Sequence, residues 1–344
     1  MLLEERIKAF EKLYDHLNGE LLSRMGKSDD LAQTIQSATS YNNWFTEKNI
    51  LKSLSAVKDS IAPEKIKKWI KQYKLNDNKP AKNVGLIMAG NIPLVGFHDM
   101  LSILISGNTL VARLSSDDRI LPAYILLLLQ KFEPKFSEYI RVAEGKFTNI
   151  DAIIATGNNN SARYFEYYFN KYPHIIRKNR NSAGILFGNE TAEQLALLGN
   201  DIFQYFGLGC RNVSKLFVPE GYDFDLFYKG IFDHKYVLDN NKYCNNYDYN
   251  KTVYLMSKIK LLDNGFLLLK EDIGLSSPVS VLFYEYYKSE EQLKERLHMD
   301  ANNLQCVVAN KKITELAVGF GQTQTPQLWD YADNVDTINF LMTL

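Results

Sequence analysis

VGLIMAGNIPLVGFHDMLSILISGNTLVARL, residues 84–114, contains the change of rhythm that decides the fold class. Residues 84–89 form a short apolar run closed by Gly90, Asn91 and Pro93, which reads as a buried strand ending in a turn. Residues 96–106 carry Phe97, Met100, Leu101 and Leu104 at helical spacing, and Gly107 with Asn108 stops the pattern. Residues 109–114 are apolar again and read as a second strand. Strand, helix and strand at this spacing make the unit of a parallel sheet, because parallel neighbours need a crossover between them.

The same alternation continues downstream, with a helix over 120–132, a strand over 151–155, the turn Thr156–Gly157 and a helix through Tyr168. This is an α/β pattern, and open parallel sheets bind ligands beyond the carboxyl ends of their strands. The turns at 90–93, 114–117 and 156–160 therefore point to one cleft. After Gly188 the pattern predicts a helix over 192–206, a Gly-containing turn and a strand over 215–218. Further strands are predicted at 265–269, 279–284 and 304–309, and the Asn- and Tyr-rich stretch 239–250 reads as a surface loop.

Upstream, about eighty residues read as helices. Ile7, Phe10, Leu13, Leu17 and Leu21 lie on one helical face behind the early acids Glu4 and Glu5, which does not fit a signal peptide. Lys65, Lys67, Lys68, Lys71 and Lys74 alternate with Ile66, Trp69 and Ile70, the pattern of a helix with a solvated face. Forty basic residues balance forty acidic ones, so no net field recruits nucleic acid or an anionic membrane. The longest apolar run, 120–129, is too short to span a bilayer. The length, 344 residues, suits two domains, and three cysteines without an export signal suit a reducing cytoplasm.

No H-E-x-x-H or cysteine–histidine spacing offers a metal site, and neither a G-x-G-x-x-G nor a G-x-S-x-G motif occurs. Cys210 stands in Phe-Gly-Leu-Gly-Cys-Arg-Asn, where glycines permit close ligand approach and Arg211 favours a thiolate. Taken alone, a free cysteine is more often a buried packing residue. That reading is stronger still for Cys244, in the polar stretch, and for Cys306, inside an apolar strand. Phe203, Tyr205 and Phe206 sit on an amphipathic pattern and read as helix core before they read as the wall of an acyl tunnel.

The order of these segments resembles the aldehyde dehydrogenase superfamily. Within it, the chain is most similar to the acyl-CoA reductase family that includes the fatty-acid reductase of bacterial bioluminescence. The likeness runs from about Val84 to Val281 and returns in FGQTQTPQLWDYADNVDTINFL near the C-terminus. It implies an α/β fold of aldehyde dehydrogenase type: N-terminal helices, a parallel-sheet cofactor-binding domain and a second α/β catalytic domain. The expected boundaries are 1–183 for the helices and NADP-binding domain, 184–310 for the cysteine domain, and 311–344 for a segment returning to the cofactor domain.

Residue by residue, Ala-Gly-Asn91-Ile-Pro resembles the family's Trp-Asn-Phe-Pro turn, which implies an oxyanion-holding amide at Asn91. Gly-Asn-Thr-Leu-Val-Ala-Arg113-Leu-Ser115-Ser116 resembles Gly-Asn-Thr-Val-Val-x-Lys-Pro-x-Glu, the adenosine-ribose segment. Here Arg113 replaces lysine and Ser116 replaces glutamate. A glutamate would repel a 2′-phosphate that arginine and serine accept, so the resemblance implies NADPH. Thr-Gly157-Asn158 resembles the turn near the pyrophosphate, and the Cys210 segment resembles the Gly-Gln-x-Cys nucleophile. Glu271-Asp-Ile-Gly resembles Glu-x-Phe-Gly, whose glutamate binds the nicotinamide ribose.

The hydrolytic members' Glu-Leu-Gly-Gly corresponds here to a stretch beginning at Asn179, and an amide cannot accept water's proton at neutral pH. The implied activity is reduction of an acyl-CoA, of fatty type, to an aldehyde through an S-acyl-Cys210. The acyl donor is CoA or an acyl-transferring partner protein, and the enzyme is a homo-oligomer as is usual in the superfamily. Aldehyde oxidation, or an inactive acyl-carrying or assembly subunit, stay open as rivals.

Overall fold

The computed structural model describes residues 1–22 and 29–344, which form two compact units. One comprises Met1–Lys178 with Pro326–Leu344, the other Asn179–Thr325.

The first unit opens with α1 (Leu3–Leu22), α2 (Asp29–Tyr41), α3 (Glu47–Ser60) and α4 (Pro63–Ile70). Phe10, Leu13 and Leu17 of α1 are fully buried, as their i, i+3 and i+7 spacing requires. In α4, Pro63 stands at the first turn, where its missing N–H costs nothing, and Ile66 and Trp69 face the core. Lys67 and Lys68 remain exposed, the latter with its ammonium 4.2 Å from the centre of the Trp329 ring. The lysine-rich stretch is thus a solvated helix face that ends before Lys71 and Lys74.

β1 (Asn83–Ile87), α5 (Phe97–Ile105), β2 (Thr109–Arg113), α6 (Ile120–Phe132) and α7 (Phe136–Tyr139) follow, then β3 (Ile140–Val142), β4 (Ala152–Thr156), α8 (Asn159–Phe169) and β5 (His174–Arg177). The strands form one parallel sheet in the order β3-β2-β1-β4-β5. The order reverses at β1 and β4, the switch point where doubly wound sheets open a ligand crevice at their carboxyl edge. Every side chain of α5 is buried, because helices pack both faces of a parallel sheet, except half-exposed His98. β3 and β5 are not legible in the sequence because they are short and carry exposed Arg141, Val142 and His174, which breaks any apolar run.

In the second unit, β6 (Asn181–Ile185), α9 (Ala192–Phe203), β7 (Val213–Pro219), α10 (Phe224–Gly230) and α11 (Asn241–Met256) lead to β8 (Leu262–Asp263), β9 (Leu268–Glu271) and β10 (Val281–Tyr287). α12 (Glu290–Met299), β11 (Leu304–Val308) and β12 (Ala317–Val318) complete it. The sheet order is β12-β11-β6-β7-β10-β9-β8, parallel except for the β8–β9 pair. The chain then returns to the first unit, where α13 (Thr337–Thr343) buries Thr337, Ile338 and Leu341. Arg177 at the end of β5 ties that return down, donating to Asp99, to the Ala332 carbonyl and to the Thr337 hydroxyl.

Three expectations need correction. The stretch 239–250 is not a loop: Asn240 caps α11 by accepting the Lys242 and Tyr243 N–H groups. Tyr243, Tyr247 and Asn250 then fall on one buried face, so a composition that suggests a turn supplies a cap and an i, i+4, i+7 stripe instead. The helix after Thr191 ends at Phe203 rather than 206, because Tyr205, Phe206 and Gly207 are left-handed (φ 53°, 58° and 76°). The boundary placed after Ala183 falls inside β6, which pairs with β7 and β11, and residues 311–325 stay with β12 in the second unit. Among the described residues, no helix is long and apolar enough to cross a membrane.

Candidate active site

In the first unit, the β1–β2 register sets Ile87 beside Arg113, and the Met88 N–H donates to the Arg113 carbonyl at 3.1 Å. The turns that follow the two strands therefore lie side by side at the carboxyl edge. A Cβ on Gly90 would lie 2.4 Å from Ser115 Oγ and 2.9 Å from the Asp118 nitrogen, so only glycine allows this approach. Asn91 and Arg113 are exposed, as is Ser116, while half-buried Ser115 accepts the Asp117 N–H. Ser53 of α3 holds the Asn91 turn by donating to the Pro93 carbonyl at 2.7 Å. After β4, the Asn158 side chain caps α8 by accepting the Ser161 N–H at 2.8 Å. A Cβ on Gly157 would come within 2.8 Å of Ser161 and 2.9 Å of Phe165. Exposed Asn158 thus marks a helix N-terminus on the same edge, a natural anion site.

Asp118 gives no signal in the sequence, where it is one acid in a polar turn. Only 3% exposed, it accepts the N–H of Leu94 at 2.6 Å, and Leu94 is itself left-handed (φ 59°). Burial pushes its carboxyl up from near 4 to about 7, against the pull of the Leu94 donor. A raised carboxyl pKa means that the folded state holds a proton the unfolded chain has released, so stability falls as pH rises from about 4 to about 7. Asp118→Asn is expected to flatten this slope by about 2–3 kcal/mol between roughly pH 5 and pH 8. Urea denaturation of both proteins at the two pH values measures it, and equal slopes would exclude Asp118 as the source.

In the second unit, β6 and β7 pair with Ser182 opposite Val213. Asn179 and Cys210 each stand three residues before that pair, so both come from the amino edge of adjacent strands. Cys210 is exposed and Cys244 is partly so, on α11, whereas Cys306 is buried. Ser182 donates its hydroxyl to the Cys210 carbonyl at 3.0 Å and lies 3.1 Å from Cys306 Sγ. The single Ser182 proton goes to that carbonyl, which leaves Cys306 S–H as donor to Ser182. Burial raises the Cys306 pKa and keeps it the neutral thiol this role needs.

The turn carrying Cys210 is closed by Asn212, which is 2% exposed. Its amide donates to the carbonyls of Asp201 (3.0 Å) and Gln204 (2.8 Å), with a longer contact to Ile202 (3.4 Å), and accepts the Gly209 N–H at 2.8 Å. Phe203, Tyr205 and Phe206 are buried in this unit's core, with Phe203 stacked on His234 at 5.2 Å.

Glu271 ends β9 level with Tyr284 of β10, exposed and two strands across from β7. The loop after it is held by side chains that sequence reasoning misses. Fully buried Lys215 donates to the Asp272 carbonyl and to Glu285 (3.0 Å), and Arg296 donates to the Ile273 carbonyl (2.7 Å) and to Glu285 (3.1 Å). Burial pushes the Lys215 ammonium pKa down while Glu285 opposes it. The loop then runs back to the start of β7, where Ser214 donates to the Leu275 carbonyl at 2.7 Å. Lys215 is a lone cation in an apolar strand, which is the only sequence signal it gives.

A family model described as acyl-CoA reductase (LuxC) matches residues 3–197, more than half of the chain and ending within α9, before Cys210. No curated protein matches. Among solved structures, aldehyde dehydrogenase 21 from Physcomitrella patens, in complex with its product succinate, is similar with a TM-score of 0.70 and 13% identity, over 100% of this chain and 84% of that one. An NAD-dependent aldehyde dehydrogenase from Sinorhizobium meliloti gives 0.67 and 13%, over 91% and 72%. The NAD+ complex of an aldehyde dehydrogenase from Bacillus cereus gives 0.64 and 14%, over 90% and 72%. Identities this low establish the fold alone: it is that of aldehyde dehydrogenases.

Proposed function

This chain belongs to the acyl-CoA reductase family, and from that premise we propose that it reduces an acyl-CoA of fatty type to the aldehyde with NADPH, through an S-acyl-Cys210 intermediate. The observation that carries this reading is the exposed Cys210 in its clamped, glycine-flanked turn, with the amide Asn179, not a carboxylate, at the same edge of the neighbouring strand.

Cys210 as thiolate attacks the thioester carbon, and its S–C bond forms as the carbonyl electrons move to oxygen. The Cys210 N–H holds that oxyanion, the role that the family resemblance also gives to the Asn91 amide. Collapse breaks the bond to CoA, whose thiolate leaves and takes up a proton. Bound NADPH supplies the hydride that reduces the acyl carbon. The resulting thiohemiacetal, as its alkoxide, re-forms the carbonyl as the carbon–sulfur bond breaks, which releases the aldehyde and returns the Cys210 thiolate. No carboxylate at position 179 removes a proton from water, so the thioester outlives hydrolysis.

Exposed Arg113 and Ser116 support a 2′-phosphate at the carboxyl edge of β2, and Gly157 with the N-terminus of α8 supports the pyrophosphate. Glu271 takes the nicotinamide ribose in this reading. Ser116→Glu is expected to lower the preference for NADPH over NADH about 10–100-fold, since a carboxylate would face the phosphate; kcat/KM for both cofactors measures it.

The test of the function is NADPH consumption with acyl-CoAs of increasing chain length, with the product identified. Aldehyde in step with NADPH loss is expected. Steady formation of acid from an aldehyde and NADP without a thiol would overturn the reading in favour of oxidation.

A further inference from the structure

Cys210 follows a strained stretch of backbone. Tyr205 and Phe206 are left-handed without being glycine, each costing about 1–2 kcal/mol. The C-terminal carbonyls of α9 have no partners within the helix. Within the turn the Leu208 N–H donates to the Tyr205 carbonyl at 3.2 Å, and contacts at its two ends add to that bond in holding the strained residues.

We infer that Asn212 is the positioning residue of the nucleophile, its one buried amide closing the end of α9 and fixing Gly209 so that the Cys210 peptide takes a single orientation. The inference rests on reading Cys210 as the nucleophile. The amide's contacts at Gln204 and Gly209 bracket the strained residues on both sides. The backbone N–H of Asn212 also donates to the Gly209 carbonyl at 2.9 Å. In a trans peptide the carbonyl and the next N–H point in opposite directions. Holding the Gly209 carbonyl toward Asn212 therefore aims the Cys210 N–H away from it, and that N–H is the backbone donor an oxyanion requires. The following carbonyl, that of Cys210, is pinned by Ser182 at 3.0 Å. The peptides before and after the nucleophile are thus both fixed, the first through Asn212: its backbone N–H holds the Gly209 carbonyl, and its side chain, gripping the Gly209 N–H and the Gln204 carbonyl, keeps the turn in the shape in which that backbone bond forms.

The experiment compares wild type with Asn212→Ala in three measurements: the acylation burst with octanoyl-CoA and with p-nitrophenyl acetate, alkylation of Cys210 by iodoacetamide, and NADPH affinity. Acylation depends on the aimed N–H, whereas alkylation needs only a thiolate. The expected result is an acylation rate lower by about 100-fold with both esters, the usual cost of a misplaced reacting group. Alkylation should stay within about threefold and NADPH affinity should be unchanged. A parallel fall in acylation and alkylation, or a smaller burst amplitude at an unchanged rate, would make Asn212 merely structural and overturn the inference. If Asn212→Ala is recovered only as aggregate, Asn212→Ser, which restores a small polar group, is read against the same outcomes. A wild type silent toward octanoyl-CoA alone would overturn the acyl-CoA reading, while the p-nitrophenyl acetate arm still decides Asn212. Silence toward both would remove Cys210 as nucleophile and the inference with it.

Discussion

Cys210→Ala is expected to lower aldehyde formation from acyl-CoA by about 10⁴-fold or more, leaving NADPH affinity within about twofold. The size follows from removing the only atom that forms the covalent intermediate, since neither other thiol can substitute. Cys306 is 2% exposed, with its pKa raised by burial and its S–H engaged with Ser182. Cys244 sits on α11, where its thiol donates to Asp248 at 3.9 Å. The nucleotide residues Arg113, Ser115, Ser116, Gly157 and Asn158 lie in the other unit and are untouched by the change. Mass spectrometry after incubation with acyl-CoA, without NADPH, should find the acyl group on wild type and none on the variant. Full turnover by Cys210→Ala would end the covalent scheme.

Asn179→Glu is the second large effect, and it is a gain. A carboxylate there would lie on the same sheet edge as the nucleophile, because Asn179 and Cys210 both precede the paired residues Ser182 and Val213 at the start of adjacent strands. Exposed at the sheet edge, it would ionise and take a proton from water. Positioned general bases contribute about 10²–10⁴-fold, so acid release from acyl-CoA without NADPH should rise by roughly 100-fold or more. Aldehyde yield per thioester consumed should fall accordingly. Simultaneous assay of free CoA, acid and aldehyde reads the partition. Unchanged acid release would show that the side chain does not reach the thioester, and the intermediate's survival would need another cause.

The sequence by itself determined what depends on near neighbours along the chain. The apolar runs closed by Gly90 and Gly157, with a helix between successive strands, decided a parallel α/β sheet, and the spacing of Phe10, Leu13 and Leu17 decided the first helix. Glycines around position 210 marked where backbone must approach something closely. These signals are local because strand and helix periods are set by backbone geometry.

Only the tertiary structure decided the rest. Asp118, Lys215 and Asn212 read as polar residues in turns or strands. The partners Leu94 of Asp118 and Glu285 of Lys215 lie on another turn and another strand, Asn212 reaches back to Asp201 and Gln204 at the end of α9, and burial turns the three into a raised carboxyl, a depressed ammonium and a clamp. Residues 239–250 show the same limit: Asn and Tyr composition favours a turn, and burial of Tyr243, Tyr247 and Asn250, with the Tyr243 hydroxyl donating to the Phe266 carbonyl, selects helix. Propensities are worth fractions of a kcal/mol per residue, whereas burying an aromatic ring or satisfying a buried polar group is worth several times more. Burial therefore outweighs local preference, and it depends on contacts between residues that are distant in sequence.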